Sequence, residues 1–233
     1  MIPIRDINPT NRFAIVTFTL IILNITVFVY ELTLGTMGSE AFLVSFALIP
    51  KRLFTPDTVT GSTLLPVTVT LVTSMFLHGG LLHIAGNMLY LWIFGNNVED
   101  DTGRARFLVF YVLCGLIAAY AHAFMNRTSL TPMIGASGAV SGVLGAYLLL
   151  YPRARVVTLV LFGFYIRTIE VPAMIVLGFW FVLQFLSALL SSGSGEGVAW
   201  YAHIAGFVAG MLLIGLFKRR DVWFGGGRGV RYP

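Results

Sequence analysis

The sequence predicts an all-α polytopic membrane protein, a six-transmembrane-helix bundle in one domain, on three observations. Only 11% of the 233 residues are charged and 57% are hydrophobic, with a mean hydropathy of +0.86. A soluble domain carries about 25% charged residues, so these charges cannot coat a water-facing surface and lipid has to solvate much of it. Apolar runs near the ~20 residues needed to cross a bilayer recur along the chain, separated by polar turns. No repeat of about 20–50 residues is visible.

The first run, 13–30, follows Arg5 and Arg12. It is long for a signal-peptide core and no small-residue cleavage site follows before Glu31, so it reads as span 1. Residues 34–74 form a loop with Pro50, Pro56 and Pro66, too polar to cross. Within it, 41–48 has the character of a short interfacial helix. Span 2 covers 81–96 and is followed by the polar turn 98–104. Span 3 covers 107–124. Span 4, 137–151, is stopped by Pro152 and the Arg153/Arg155 pair. The stretch 156–170 is apolar but interrupted by Arg167 and Glu170, so a cytosolic-face loop or hairpin is expected. Span 5 is 171–190, the Gly/Ser run 191–197 is a flexible turn, and span 6 is 199–217, closed by Lys218-Arg219-Arg220. The expected division is a cytosolic segment 1–12, a membrane domain 13–217, and a cytosolic tail 218–233 that is disordered.

Twelve of the fifteen basic residues fall on the N-terminal side of this topology; Lys51, Arg52 and Arg127 fall on the other. The excess of cationic loops marks the cytosolic side, so both termini are expected in the cytosol, in the plasma (inner) membrane of a prokaryote. The net charge of +5 is scattered at segment ends with no basic stripe, which excludes nucleic acid as a partner. The lone Cys114 excludes a disulfide framework.

Polar groups at membrane depth are costly and mark function by default. His83 and Asn87 stand four apart in span 2 and share a helix face. Ser137 opens span 4, and His203 lies one turn into span 6. All four fall near the outer ends of three different helices. Gly138-x3-Gly142 and Gly206-x3-Gly210 let spans 4 and 6 pack backbone to backbone, which sets the serine against the histidine. Taken singly, the readings are bland: a serine bonded to its own helix, an interhelical histidine, a packing asparagine. Their convergence favours chemistry.

A serine hydroxyl becomes a nucleophile when a base takes its proton, and histidine is the usual base. None of the ten acids lies inside a span as drawn, so a Ser137–His203 dyad without a carboxylate is the economical reading. Asn87, His83 and the Ser137 backbone N–H are candidate oxyanion donors. His78 is expected to hold the loop before span 2 by a hydrogen bond. No His-Glu-x-x-His motif occurs and no carboxylate adjoins these histidines, so no metal is expected.

His78-x4-His83-x3-Asn87, Gly135-Ala136-Ser137-Gly138 and Ala202-His203-x2-Gly206-x3-Gly210 stand in this order. With these motifs the chain resembles the rhomboid intramembrane serine proteases over roughly 13–217. The resemblance implies Ser137 as nucleophile, His203 as general base, and His83 and Asn87 as oxyanion-hole side chains. It implies no cofactor or metal. The substrates would be single-span membrane proteins cut in or beside their transmembrane segments, in a water-filled cavity open to the outside, with small residues at the cleaved position. Two features depart from the pattern. Some rhomboids carry a tyrosine four residues after the nucleophile, stacking on the catalytic histidine; here Ser141 stands there, and a neighbouring aromatic is the expected substitute. Some carry a Trp-Arg pair in the first outer loop; this loop has no tryptophan, and Pro50-Lys51-Arg52 is its nearest basic spot. With no soluble domain ahead of span 1, a minimal form is expected. The rival readings are a catalytically inactive rhomboid-like protein binding client transmembrane helices, and a small transporter. The transporter would need matching halves and midplane charges, which are not seen.

Overall fold

A computed structural model of the protein describes residues 2–55, 65–162, 165–190 and 199–226. The chain is a helical membrane bundle with a small sheet at one end. Helix α1 (Ile15–Thr33) is followed by α2 (Gly35–Phe46), α3 (Pro50–Phe54) and the short α4 (Thr70–Thr73). Then come α5 (Leu81–Thr102), α6 (Arg104–Met125), α7 (Ser137–Leu150), α8 (Ala173–Leu190) and α9 (Trp200–Phe217). Among the described residues, α1, α6, α8 and α9 are long and apolar enough to cross a membrane. Helix α5 becomes a fifth if it is counted with the segment Val67–Phe76, from which it bends by 83°. At 14 residues, α7 is shorter.

The start of α1 explains where α5 ends. Ala14 gives α1 no side-chain cap, and a helix start leaves four N–H groups unsatisfied. Glu99 supplies the acceptors from another helix. Its Oε1 takes the Val16 N–H at 3.0 Å, and its Oε2 takes the Thr17 N–H at 2.7 Å and the Thr17 hydroxyl at 2.8 Å. Asp100 accepts from the backbone and side chain of Asn11, and Asp101 from the Tyr151 hydroxyl. The stretch 98–102, expected as a polar turn, is therefore the last turn of α5. Its three acids are buried because each has a donor. Gly103, with φ of 85°, ends the helix.

Most of α7 is buried, walled in by α5, α6 and α9, whereas α8 buries little beyond Ala173, Val176, Leu177 and Ala188. The α7–α9 contact is backbone on backbone. A Cβ on Gly206 would overlap the Gly138 carbonyl oxygen, and one on Gly210 would overlap that of Gly142. The two glycine motifs thus face each other, and no larger residue fits at those places.

A sheet ordered β1-β2-β3 lies at the Glu99 end; its hairpin falls on the stretch 156–170, where a loop or hairpin is expected, whereas its third strand, from the N-terminal segment, is not expected. It joins β1 (Ile2–Asp6), β2 (Arg155–Phe162) and β3 (Tyr165–Pro172), all antiparallel. The stretch 155–162 is rich in β-branched residues and too short to span, so it pairs with 165–172 as a hairpin. The hairpin edge then recruits the N-terminal segment, with Ile2 opposite Leu159 and Asp6 opposite Val156. The chain after α9 also differs from expectation over residues 218–226. The Arg219 N–H donates to the Asp101 carbonyl at 2.9 Å, the Gly225 N–H to the Leu149 carbonyl at 3.0 Å, and Val222 is fully buried. Residues 227–233 of the expected tail and the expected turn 191–197 lie outside the described residues.

Candidate active site

Ser137 is the first residue of α7 and is reached through Gly135 and Ala136. Gly135 has φ of 117°, a conformation that favours glycine. A Cβ there would stand 2.7 Å from His83 Nε2, so the same glycine lets the imidazole approach. Ala136 offers no side-chain cap, and the first N–H to close within this helix is that of Val140, onto the Ala136 carbonyl at 2.9 Å. Among the described residues the Ser137 N–H thus has no intrahelical acceptor, and it stands at the positive end of α7.

His203 stands opposite. Its Nε2 lies 2.8 Å from Ser137 Oγ, and its Nδ1 lies 2.7 Å from Oε1 of Gln184 on α8. Its ring neighbours Trp180 at 6.0 Å and Trp200 at 6.1 Å between centroids, the latter edge-on. Ser141 spends its hydroxyl on the Ser137 carbonyl at 2.6 Å, so two tryptophans and an amide surround the histidine instead.

His83 and Asn87 present themselves from α5. The Gly79 N–H donates to His83 Nδ1 at 3.4 Å, which assigns the ring proton to Nε2, the atom nearest Gly135. Asn87 is 8% exposed, and its Nδ2 has no hydrogen-bond partner among the described residues. A Cβ on Gly135 would lie 3.7 Å from that nitrogen. All four residues singled out in the sequence, together with Gln184, line one cavity of about 490 Å³ between α5, α7, α8 and α9.

Two histidine-related details add to the expectation. His78 is buried, yet neither ring nitrogen has a hydrogen-bond partner among the described residues. Its ring stands edge-on to His83 at 5.1 Å, and its backbone N–H donates to Glu31 Oε2 at 3.4 Å. Glu31 is a buried acid in the last turn of α1, one residue beyond span 1 as drawn. It serves that backbone, and the partner found on the far side of His203 is an amide. Sequence reasoning missed Gln184 because it searched the acids. The available signal was a lone amide in the run Ala173–Leu190, whose one other polar side chain is Ser187. Among the described residues no group of three His, Cys, Asp or Glu comes together to hold a metal.

The family model for the Rhomboid domain matches residues 67–220, which include all four site residues and Gln184. The chain is similar to Rhomboid protein 1, mitochondrial, of Saccharomyces cerevisiae, 29% identical over 153 residues, which is 62% of this chain and 40% of the relative. It is also similar to RHOMBOID-like protein 1 of Arabidopsis thaliana, 30% identical over 143 residues, 61% of this chain and 33% of the relative. With Rhomboid protease GluP of Bacillus subtilis it shares 41% identity over 78 residues, 34% of this chain and 15% of the relative. The matched region thus spans less than half the length of each of these relatives.

Proposed function

This chain belongs to the rhomboid family, and on that premise we propose that it is an intramembrane serine endopeptidase acting through a Ser137–His203 dyad. The observation that carries the reading is the 2.8 Å contact between Ser137 Oγ and His203 Nε2, in a cavity that also holds Asn87 Nδ2, which has no partner among the described residues. Its substrates are single-span membrane proteins, cut in or next to their transmembrane segments.

In the acylation step His203 Nε2 takes the Ser137 proton as Oγ bonds to the scissile carbonyl carbon. The carbonyl oxygen gains charge, and the Ser137 N–H, the His83 Nε2–H and the Asn87 amide receive it. The C–N bond breaks as His203 returns its proton to the leaving amine. Water, activated by the same histidine, then releases the acyl group and restores the serine. No cofactor or metal takes part.

The topology proposed with this function has six spans within 13–217, flanked by cytosolic segments 1–12 and 218–233, and the cavity opens to the outside. Arg12, Arg104 and Arg219 gather at the end opposite the dyad, which supports that orientation. A prokaryotic plasma membrane is the proposed location. The Bacillus subtilis relative supports it, and the mitochondrial names of other relatives weigh against it.

Treating the detergent-purified protein with a fluorophosphonate probe tests the dyad. Labelling of the wild type, lost in both Ser137→Ala and His203→Ala, is expected. A folded wild type that takes no label would instead favour a client-binding, catalytically inactive rhomboid-like protein.

A further inference from the structure

A serine–histidine pair works as nucleophile and base only if the histidine presents a lone pair to the hydroxyl. An imidazole that is neutral carries one ring proton, on Nδ1 or on Nε2. If the proton sits on Nε2, the ring donates to Ser137 and cannot accept from it. Something must therefore hold the proton on Nδ1, and in familiar triads a carboxylate does so. The atom facing Nδ1 here is Gln184 Oε1, 2.7 Å away. An amide oxygen can only accept, so this contact requires the Nδ1–H form and leaves Nε2 free to accept from the Ser137 hydroxyl.

We propose that Gln184 is a positioning residue of the dyad: it fixes the tautomer and the tilt of His203 by accepting the Nδ1 proton. The proposal rests on the protease reading above. No proton passes to Gln184 at any step. When His203 takes the serine proton, Nδ1–H stays where it is, and the amide dipole faces the positive ring that forms. The placement also makes the base dependent on α8. That helix lends His203 both the amide and the tilted ring of Trp180, yet it is the long helix that turns most of its surface outward. Met174, Phe179, Val182, Phe185 and Leu189 are all exposed. Phe181, stacked on Phe207 of α9 at 4.7 Å, pins it beside the histidine. With α8 seated, His203 is a competent base; with α8 displaced, the ring loses its acceptor.

The test compares wild type, Gln184→Leu and Gln184→Glu in detergent, reading fluorophosphonate labelling rate, kcat and KM on a cleavable single-span substrate, and ¹⁵N shifts of the histidine ring. Gln184→Leu is expected to slow labelling and lower kcat by about 10- to 100-fold, the lower part of a general-base contribution, with KM unchanged. Its ¹⁵N spectrum should lose the pure Nδ1–H pattern. Glutamate offers only acceptors, so Gln184→Glu should recover most of the loss. If the amide nitrogen faced the ring instead, Gln184→Glu would be as impaired as the leucine variant, and the proposal would fall. It falls as well if Gln184→Leu matches the wild type in rate and tautomer. Should Gln184→Leu not fold, the glutamate variant and the wild-type ¹⁵N tautomer decide alone. A wild type that never labels removes the dyad reading and this inference together. A wild type that labels through Ser137, beside a leucine variant of equal rate, removes this inference only.

Discussion

At Asn87 the molecule keeps a buried amide nitrogen without a partner among the described residues, which costs about 1–3 kcal/mol in the resting state. A packing asparagine would have found an acceptor; a donor waiting for a transient oxyanion has none until the reaction begins. Asn87→Ala is therefore expected to lower kcat by about 100- to 1,000-fold with KM nearly unchanged, measured on a cleavable membrane substrate. A rise in KM at constant kcat would make Asn87 a binding residue only. The residues of this site were legible to different degrees. Ser137, His203, His83 and Asn87 stand out because each is polar in an apolar setting and they fall at matching depths. Gln184 has the same signature but was hidden by the assumption that a histidine is oriented by an acid. Trp180 and Trp200 gave no signal, because an aromatic in a membrane run looks like any other apolar residue.

At the scale of elements, the distance between Ser137 and His203 is set by how closely α7 and α9 approach. That approach is limited by the Gly138 and Gly142 carbonyls against Gly206 and Gly210. One methyl group is enough to disturb it. Gly206→Ala is expected to push the helices apart, lower the thermal midpoint and reduce cleavage by about 100-fold, the scale of a 1 Å misplacement. Wild-type turnover by that variant would detach the packing from the chemistry. The glycine spacing announced this contact in the sequence. The end of α5 was illegible for the opposite reason. Glu99-Asp100-Asp101 looks like a solvated turn until the uncapped start of α1, more than eighty residues earlier, is brought beside it. Capping between distant helices leaves no local pattern.

For the molecule as a whole, the sheet end and the helices are joined by Asp6, whose carboxylate accepts the Tyr147 hydroxyl at 2.7 Å. Burial raises the Asp6 carboxyl from 3.8 to about 6, against the lowering effect of that hydrogen bond. Between pH 4 and 6 the folded protein therefore holds a proton that the unfolded chain has lost. Stability from this residue is present at the acid end and declines as pH rises through that window. Thermal midpoints in detergent should fall from pH 4 to pH 6.5 more steeply for the wild type than for Asp6→Asn. Parallel curves would mean that Asp6 titrates as an exposed acid.

The strand pairing bears also on how the protein is made. Ile2 lies against Leu159, so the strand that holds it has no partner until some 157 further residues have followed it off the ribosome. At about 5–20 residues per second, that is a wait on the order of ten to thirty seconds. Through that interval the earlier helices enter the bilayer while the N-terminal strand stays unzipped. The edge closes only after α7 has been synthesised, so the sheet works as a late fastener: it locks a helical arrangement that has to form without it.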